Sequence, residues 1–574
     1  MATHHTPLHR AAAEVVATHA GIAATDLKVE APPRPELGDL AVGCFAIARA
    51  RKQNPAEVAR AIAAAFTSSG PTELLASATA AGPFVNFRAQ RTATYRWLVD
   101  SALRSRLVPG ELGTGKTVCI DYGSPNISKH LAYHHVRGTA IGHALAQIFR
   151  ALGYRVVGIN FLGDWGTTHG MLLAAWAKWG PIDPVDITGL NALYVRFRAA
   201  SKDDPALEQE GRSWFKRLED GEPEARALWQ RFRDVSWAEF QSVYEVLGIE
   251  YDEVRGESAY EPDLPRILDT LGAKGLSQES QGALVVALPG EDNPILLRTR
   301  DGTSLYATRD VANAEYYWNN YHFTRSLYVV DRGQSLHFRQ LFKLLGLMGH
   351  EWAARCEHIP YGLVKIDNQK SATRLGNVVL MRDVFTIAEA MVRAKIAEVN
   401  PTMATSLVDE VARQVGIGAI VFANLAPQRD KDIDFDIEHA VELEGDSGPY
   451  LQYSHARCAA IGRKAGETIT SIEGVDFGKL SHDAEWAVAR RLLDFPDTVV
   501  RSSESCEPHV ICHYLLQLCA DYSRWYTLGN NEPPLRVLCD DVDTRRARLA
   551  LVAAVQAALR DGLSLLGIAA PDQM

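Results

Sequence analysis

The stretch from Asp121 to Gly170 constrains the fold of this chain more than any other part of the sequence. The apolar residues Val118–Ile120 predict a strand that ends in a Ser-Pro-Asn turn, and an Ala-, Leu- and Ile-rich helical pattern follows. Gly153 ends this pattern, and Tyr154–Ile159 predicts a second strand. Strand, helix and strand make a βαβ unit, whose first loop presents backbone N–H groups suited to phosphates and carboxylates. We therefore expect a ligand site at the carboxyl ends of these strands.

Length and composition limit the classes of protein to which this chain can belong. A chain of 574 residues predicts several domains, each large enough to bury its own core. With 47% hydrophobic and 23% charged residues, the composition is that of an ordinary soluble globular protein. No apolar run approaches the roughly 20 residues of a membrane span, and residues 1–10 lack the apolar core of a signal peptide. We therefore expect a cytoplasmic protein without a membrane partner.

The cysteines and the net charge narrow the range of ligands. The eight cysteines are scattered singly without a CxxC pair, which predicts neither a disulfide framework nor a zinc knuckle. Cys506, His509, Cys512 and His513 fall in a helical pattern, so core packing explains them better than a structural zinc site. The net charge of -10 argues against a wholly basic nucleic-acid-binding coat, but it allows a local basic face for RNA.

The segment Gly110–Thr117 matches the phosphate-binding pattern GxxxxGK[ST] in full. A P-loop requires a strand before it and a helix that opens at the Lys-Thr pair. Here a polar helical segment precedes the pattern and the Val118 strand follows it. The segment is therefore interpreted as a glycine-rich linker between domains rather than as a phosphate cradle.

Two motifs of the βαβ unit resemble those of a known family. SPNISK at 124–129 and GDWGTTHG at 163–170 are similar to the nucleotide-binding half of class I aminoacyl-tRNA synthetases, and specifically of arginyl-tRNA synthetases. Where that family has His-x-Gly-His, this chain has Ala132-Tyr133-His134-His135, so it retains the last histidine alone. The resemblance implies a multidomain α/β fold: a Rossmann-like catalytic domain with insertions, a small α/β N-terminal domain and a C-terminal all-helical bundle.

The resemblance covers nearly the whole chain and implies its division into domains. GDLAVGCFAIAR at 38–49 resembles the N-terminal domain that holds the tRNA elbow in this family, here expected at 1–112. The catalytic domain is expected at 113–443. It would carry an insertion at about 181–282, whose many charges we interpret as a solvated face.

The last part of the chain has apolar residues at helical spacing, which predicts a helical bundle at 444–574. GPYLQYSHAR at 448–457 and the closing LLGIAAPDQM resemble the anticodon-binding domain of the family. The resemblance implies that this bundle binds the anticodon of arginine tRNA through phosphate contacts and stacking of unpaired bases.

A second group of motifs suggests how arginine would be bound. Tyr306 and Asp310 are four residues apart and so share one face of a predicted helix. Together with Glu257 of a Gly-Glu-Ser motif, they offer a phenol and two carboxylates to a guanidinium, whose five donors form a rigid fork. Members of the family carry similar motifs. The arginine-binding set that the resemblance implies is Asn126 for the polar backbone groups, with Glu257, Tyr306, Asp310 and Gln334.

The segment Gly362–Val379 resembles the class I lysine loop, which often reads KMSTRKGN in this family. Lys370 and Arg374 remain, although other positions of the motif differ. Such a loop can close over a triphosphate and neutralise charge that develops on the leaving pyrophosphate. An ordinary surface loop with two basic residues is the alternative. Some members of the family lack the motif and use a lysine just before the histidine signature, a position that Lys129 fills here.

The implied catalytic set is therefore Lys129, His135, Lys370 and Arg374, and the implied ATP-binding set is Lys129, His134, His135 and Lys370. The resemblance implies an arginine–tRNA ligase, which would join ATP and arginine into arginyl-adenylate and pass the acyl group to the terminal ribose of arginine tRNA. We expect Mg²⁺ with the ATP, no structural zinc and a monomeric chain.

The altered signature leaves two alternatives open. One is a paralogue that binds arginine or tRNA without activating the amino acid, and the other is an enzyme that uses bound arginine in a different ligation. Loss of one transition-state donor costs on the order of 10² to 10³ in rate. In addition, His134 places an imidazole where the glycine of the family lets the adenine lie close to the backbone.

Overall fold

The structure of the chain is a computed structural model that describes residues 5–298, 306–366 and 379–574. It has the multidomain α/β architecture that the sequence predicts, with a small α/β unit first, a parallel sheet in the centre and a helical bundle last. Within these ranges, no helix is long and apolar enough to cross a bilayer.

The first unit is a four-stranded antiparallel sheet packed against helices. Its helices are Pro7–Ala20 (α1), Phe45–Arg51 (α2), Pro55–Ser69 (α3) and Arg91–Leu103 (α4). Its strands are Val29–Glu30 (β1), Leu40–Gly43 (β2), Leu75–Ala81 (β3) and Phe84–Ala89 (β4), and their spatial order is β1-β2-β4-β3. The carboxamide of Asn54 caps α3 by accepting from the Ala56 N–H, and α3 places Phe66 edge-on against Phe87 of the sheet.

The central unit is built on a five-stranded sheet in which all neighbours are parallel. The strands of this region are Thr117–Asp121 (β5), Arg155–Leu162 (β6), Glu253–Gly256 (β7), Ser277–Ser280 (β8), Ala283–Val286 (β9), Ile295–Arg298 (β10), Arg325–Asp331 (β11) and Cys356–Tyr361 (β12). The parallel sheet has the order β12-β11-β5-β6-β7, whereas β8, β9 and β10 form a separate antiparallel sheet.

Helices lie on both faces of the parallel sheet. The helices of this region are His135–Ala151 (α5), Thr167–Trp179 (α6), Ile187–Ala200 (α7), Pro205–Glu219 (α8), Pro223–Val246 (α9), Leu264–Ala273 (α10), Tyr306–Tyr321 (α11), Ser335–Leu347 (α12), Met381–Val399 (α13) and Thr405–Leu425 (α14). Helix α5 packs against β5, β6 and β11, whereas α11 packs against β5 and α12 against β12. Val118 and Ile120 of β5 belong to one apolar core, whereas Cys119 between them belongs to a second core on the opposite face. The strand alternates because successive side chains point to opposite sides, so β5 is buried on both faces.

The predicted βαβ unit is present as β5, α5 and β6, with Gly153 at a positive φ two residues after the end of the helix. The P-loop pattern lies in turns before β5, and the Lys116 ammonium donates to the carbonyl of Leu112 at 3.1 Å. The strand follows the pattern rather than preceding it, as the linker interpretation requires.

The stretch predicted as an insertion at 181–282 differs from the expectation in two respects. Strand β7 lies inside it and is an edge strand of the parallel sheet, so the excursion from the sheet ends before Glu253. Moreover, α9 is not solvated all round, because Trp229, Phe232, Phe240 and Tyr244 are buried along one side. The solvated face is therefore only half of this helix.

The helical bundle at the end confirms the all-helical prediction. A short helix, Ile437–Ala440 (α15), precedes it, and its own helices are Gly448–Ala465 (α16), Asp483–Leu493 (α17), Phe495–Ser505 (α18), His509–Asn531 (α19) and Val542–Leu565 (α20). Cys506 and Cys512 are buried in the core, as the packing interpretation predicts. The bundle also packs on the N-terminal unit, where the Trp486 indole N–H donates to Asp39 at 2.7 Å and Arg91 pairs with Asp483 at 2.7 Å.

Candidate active site

The loops that follow β5 and β6 lie side by side at the carboxyl edge of the sheet. The Ile127 N–H donates to the carbonyl of Gly163 at 3.1 Å, and the Gly163 N–H donates to the carbonyl of Pro125 at 2.9 Å. A Cβ at Gly163 would overlap the carboxamide of Asn126, so only glycine allows the two loops to approach this closely. Asn126 is exposed in the crevice where parallel α/β sheets bind ligands.

The histidine signature forms one isolated bridge at Ala132 and a turn that leads into α5, whose first residue is His135. The Tyr133 N–H donates to the carbonyl of Val379 at 2.8 Å, and the Met381 N–H donates to the carbonyl of Leu131 at 2.9 Å. The chain directly after the predicted lysine loop is thus attached to the signature. Lys370 and Arg374 themselves lie outside the described residues.

His134 and His135 stand at the N-terminus of α5 with their ring centres 4.1 Å apart. The Nδ1–H of His135 donates to the carbonyl of Ala132 at 3.0 Å, which leaves Nε2 as an acceptor. Burial, together with the neighbouring His134, lowers the pKa of His135 to about 4. The ring is therefore neutral at pH 7, and an anion bound there would favour its protonation.

Lys129 lies beside these histidines and close to one further buried histidine. Its ammonium group is 5.2 Å from the centre of the Tyr194 ring on α7. Burial lowers the pKa of His169 to about 4, and the charge of Lys129 lowers the pKa of both His135 and His169. The lysine is thus a local positive charge among neutral imidazoles, as a phosphate-binding position requires.

Carboxyl groups from three elements lie near one another at the same edge of the sheet. Asp121 ends β5, Glu257 follows β7, and Asp310 lies in the first turns of α11. Burial, with the charge of Asp310 as a smaller contribution, raises the pKa of Glu257 to about 8 and the pKa of Asp121 to about 7. Carboxylates that repel one another in a buried site favour the binding of a cation.

Several groups within the protein contact these acids. Arg309 lies 3.4 Å from Glu257 and 2.7 Å from Glu261, and His337 Nε2 lies 2.6 Å from Asp310. The Tyr317 hydroxyl donates to Asp121 at 3.1 Å. The acids are therefore held in place by neighbouring helices before any ligand binds.

The remaining two predicted arginine-binding residues lie at helix starts. Helix α11 begins at Tyr306, and the side chain of Tyr306 is outside what the structure describes. Gln334 is exposed and directly precedes α12, after the carboxyl end of β11. The structure thus brings Asn126, Glu257, Asp310 and Gln334 to the same edge of the sheet as the signature.

Sequence reasoning missed four residues of the site: Asp121, Asp164, His169 and Arg309. Asp121 could have been found because it is an acid at the end of an apolar strand, and Asp164 and His169 both lie in the motif GDWGTTHG. The contact between Arg309 and Glu257 joins distant parts of the chain, and local spacing gives no signal for it.

The fold and the site together define a class of protein. A parallel nucleotide-binding sheet, a histidine-containing loop at the start of its first crossover helix and a C-terminal helical bundle are the architecture of a class I aminoacyl-tRNA synthetase. The family model for the catalytic domain of class I tRNA synthetases (R) matches residues 99–437. The models for the arginyl tRNA synthetase N-terminal domain and the DALR anticodon binding domain match residues 6–89 and 451–574.

Known proteins identify the family within this class. The chain is 40% identical over 554 residues to a protein named arginine–tRNA ligase from Exiguobacterium sp., which covers 95% of each chain. It is 38% identical to the arginine–tRNA ligase of Halothermothrix orenii, again over 95% of each. The structure is similar to that of Thermus thermophilus arginyl-tRNA synthetase with a TM-score of 0.81 and 28% identity, over 99% of this chain and 100% of the other. The chain belongs to the arginyl-tRNA synthetase family.

Proposed function

We propose that the chain is an arginine–tRNA ligase that activates arginine with ATP and transfers it to arginine tRNA. The observation that carries this proposal is the group of acids at the carboxyl edge of the sheet, in which Asp121 is buried and Glu257 and Asp310 are half-buried. A bound cation relieves the repulsion between these carboxylates, and a planar guanidinium can donate hydrogen bonds to several of them at once.

In the first step, Glu257, Tyr306, Asp310 and Gln334 bind the arginine side chain, and Asn126 holds its polar backbone groups. The arginine carboxylate attacks the α-phosphate of ATP, the bond to the bridging oxygen breaks, and pyrophosphate leaves. The residues that offset the charge on the phosphates are Lys129, His134, His135, Lys370 and Arg374. Their contribution is positioning and electrostatic stabilisation. In the second step, a hydroxyl of the terminal ribose of the tRNA attacks the acyl carbon and AMP leaves.

The metal in this proposal is the Mg²⁺ that accompanies ATP as a substrate. Among the described residues, no group of three or more His, Cys, Asp or Glu side chains could hold a metal ion. Mg²⁺ is often bound by substrate phosphates and water with few protein ligands. We therefore infer that it enters with the triphosphate.

The other parts of the chain have roles in tRNA binding under this proposal. We divide the chain into an elbow-binding domain at 1–112, a catalytic domain at 113–443 and an anticodon-binding domain at 444–574, and the family matches to three successive parts of the chain support this order. We further propose that the protein acts as a monomer in the cytoplasm.

The proposed function predicts that the purified protein charges arginine tRNA in the presence of ATP and magnesium. The measurement is radiolabelled arginine retained on acid-precipitated tRNA. A reaction without ATP and a Lys370→Ala variant serve as backgrounds, because that lysine is proposed to stabilise the leaving pyrophosphate. Charging no higher than these backgrounds would instead indicate a paralogue that binds arginine without activating it.

The raised pKa values of the acids predict how arginine binding depends on pH. Because burial raises the pKa of Glu257 to about 8 and the pKa of Asp121 to about 7, both groups are partly protonated near neutral pH. A guanidinium favours the carboxylate form, so binding releases protons and affinity rises as the pH increases from 6 to 8. Calorimetric Kd values should fall by up to about tenfold per pH unit for each proton released. The Glu257→Gln variant should show a shallower dependence, and a flat wild-type profile would contradict the prediction.

A further inference from the structure

Asp164, in the loop after β6, is fully buried and stands between the inserted helix α9 and the arginine pocket. Its carboxylate accepts from the Ser258 N–H at 2.9 Å and from the Ser258 hydroxyl at 2.8 Å. The Arg233 Nε of α9 donates to the same carboxylate at 3.1 Å. Ser258 is the residue directly after Glu257, so these bonds fix the backbone from which Glu257 projects.

The Asp164 carboxylate also packs closely against the end of the strand that leads to Glu257. A Cβ at Gly256 would overlap the carboxyl group of Asp164, which places Asp164 directly against the end of β7. The Trp229 indole N–H on α9 donates to the Asp164 carbonyl at 2.7 Å. Helix α9 therefore holds Asp164 at its backbone through Trp229 and at its side chain through Arg233.

The same face of α9 reaches the other loops of the site. The Ser236 hydroxyl accepts from the Ser128 N–H of the SPNISK loop at 2.9 Å, and the Tyr244 hydroxyl donates to the carbonyl of Gly123 at 2.6 Å. Positions 229, 233, 236 and 244 lie at spacings that place them along one side of a helix. This side of α9 is thus a common support for the loops after β5 and β6.

We propose that Asp164, held by Arg233, is a positioning residue that fixes Glu257 for arginine recognition through its two hydrogen bonds to Ser258. The proposal rests on the proposed function and deepens it. Asp164 does not touch the substrate in this account; it acts through the backbone of Ser258. The ionised carboxylate suits this role because it is an acceptor only, and three donors point at it. Asn in its place would turn an N–H₂ group towards those donors.

The test compares arginine and ATP affinities in variants of the full-length protein. Arginine binding is measured by calorimetry, and KM values for arginine and ATP are measured by ATP–pyrophosphate exchange. Ser258→Ala removes one of the two hydrogen bonds that fix the backbone next to Glu257, so misplacement of Glu257 should weaken arginine binding by about tenfold or more. The KM for ATP should change by less than about twofold, because the positioned group is Glu257. Ser258→Thr, which keeps the hydroxyl, should retain most of the affinity for arginine.

Matched substitutions on α9 separate positioning from general packing. Arg233→Ala should also weaken arginine binding by about tenfold. Arg231→Ala, an exposed position two residues earlier on the same helix, should leave it unchanged. Because Ser258 and Arg233 act through one carboxylate, the double variant should lose less than the product of the two single effects.

Three results would overturn the proposal. They are arginine affinity within twofold of wild type in Ser258→Ala, equal losses of arginine and ATP affinity, and an Arg231→Ala effect as large as that of Arg233→Ala. Asp164→Asn is a fifth single variant, and with a melting temperature equal to that of the wild type it should weaken arginine binding at least as much as Ser258→Ala. Failure of the positioning role can be distinguished from failure of the proposed function. A wild type that binds no arginine removes both proposals, whereas a wild type that binds arginine with unaffected variants removes the positioning role alone.

Discussion

The Asp310→Ala variant is expected to lose more than about 2 kcal/mol of arginine-binding free energy, which is at least about 30-fold in Kd. Asp310 is a half-buried acid in the first turns of α11, and its charge raises the pKa of both Asp121 and Glu257. Removing it leaves part of the bound guanidinium without an acceptor in a site that excludes much of the water.

Calorimetry with arginine and with lysine is the measurement. Lysine should bind far more weakly than arginine to the wild type, because an ammonium cannot match two carboxylates and a phenol as a planar fork does. Asp310→Asn is the matched control that keeps one acceptor oxygen, and it should fall between the wild type and Asp310→Ala. Equal affinities for arginine and lysine would refute this account of the pocket.

The double variant Ala132→His plus His134→Gly is expected to raise the rate of arginine activation or the affinity for ATP, by up to about 10²-fold. It restores the pattern of the family by rebuilding one donor and removing one imidazole. His134 is exposed at the start of α5 with its ring against His135, so its removal opens space beside the helix N-terminus. ATP–pyrophosphate exchange measures the effect, and the two single variants show which change contributes.

The outcomes of this experiment separate the possible roles of the signature. A wild type without ATP-dependent chemistry and a double variant that gains some would indicate a non-activating protein with an intact arginine pocket. An active wild type whose double variant loses activity would contradict both the gain expected of an ATP-using ligase and the interpretation as a non-activating protein. It would mean that Tyr133, His134 and His135 form a working site of their own.

The sequence predicted the parts of the fold that depend on local periodicity. The βαβ unit follows from one apolar run, one helical pattern and the stop at Gly153, all of which are visible within about ten to twenty residues. Strand β7 was missed inside the predicted insertion because Glu253–Gly256 is short and alternates without an apolar run. This segment is a strand because it pairs with β6, which is distant in the sequence.

The same limit applies to the site. Asn126, Glu257, Asp310 and Gln334 could be proposed because the resemblance to the family implies them. The charged residue Arg233 looked like part of a solvated face, because nothing in α9 reveals that Asp164 lies opposite it. Burial and charge pairing between distant segments decide such roles, and they exist only after folding.

The order of strands in the parallel sheet also determines when each strand can find its partners during synthesis. β5 pairs on one side with β6, which follows it closely, and on the other side with β11, whose Arg325 lies opposite Val118. At about 5–20 residues per second, the roughly 200 residues between β5 and β11 take on the order of 10–40 s to be translated. During that interval one edge of the central strand has no partner and can pair wrongly with another chain. The acids of the pocket come together only after α11 has emerged, so a ribosome that stalls earlier leaves a nascent chain that can bind neither the amino acid nor its own missing strand.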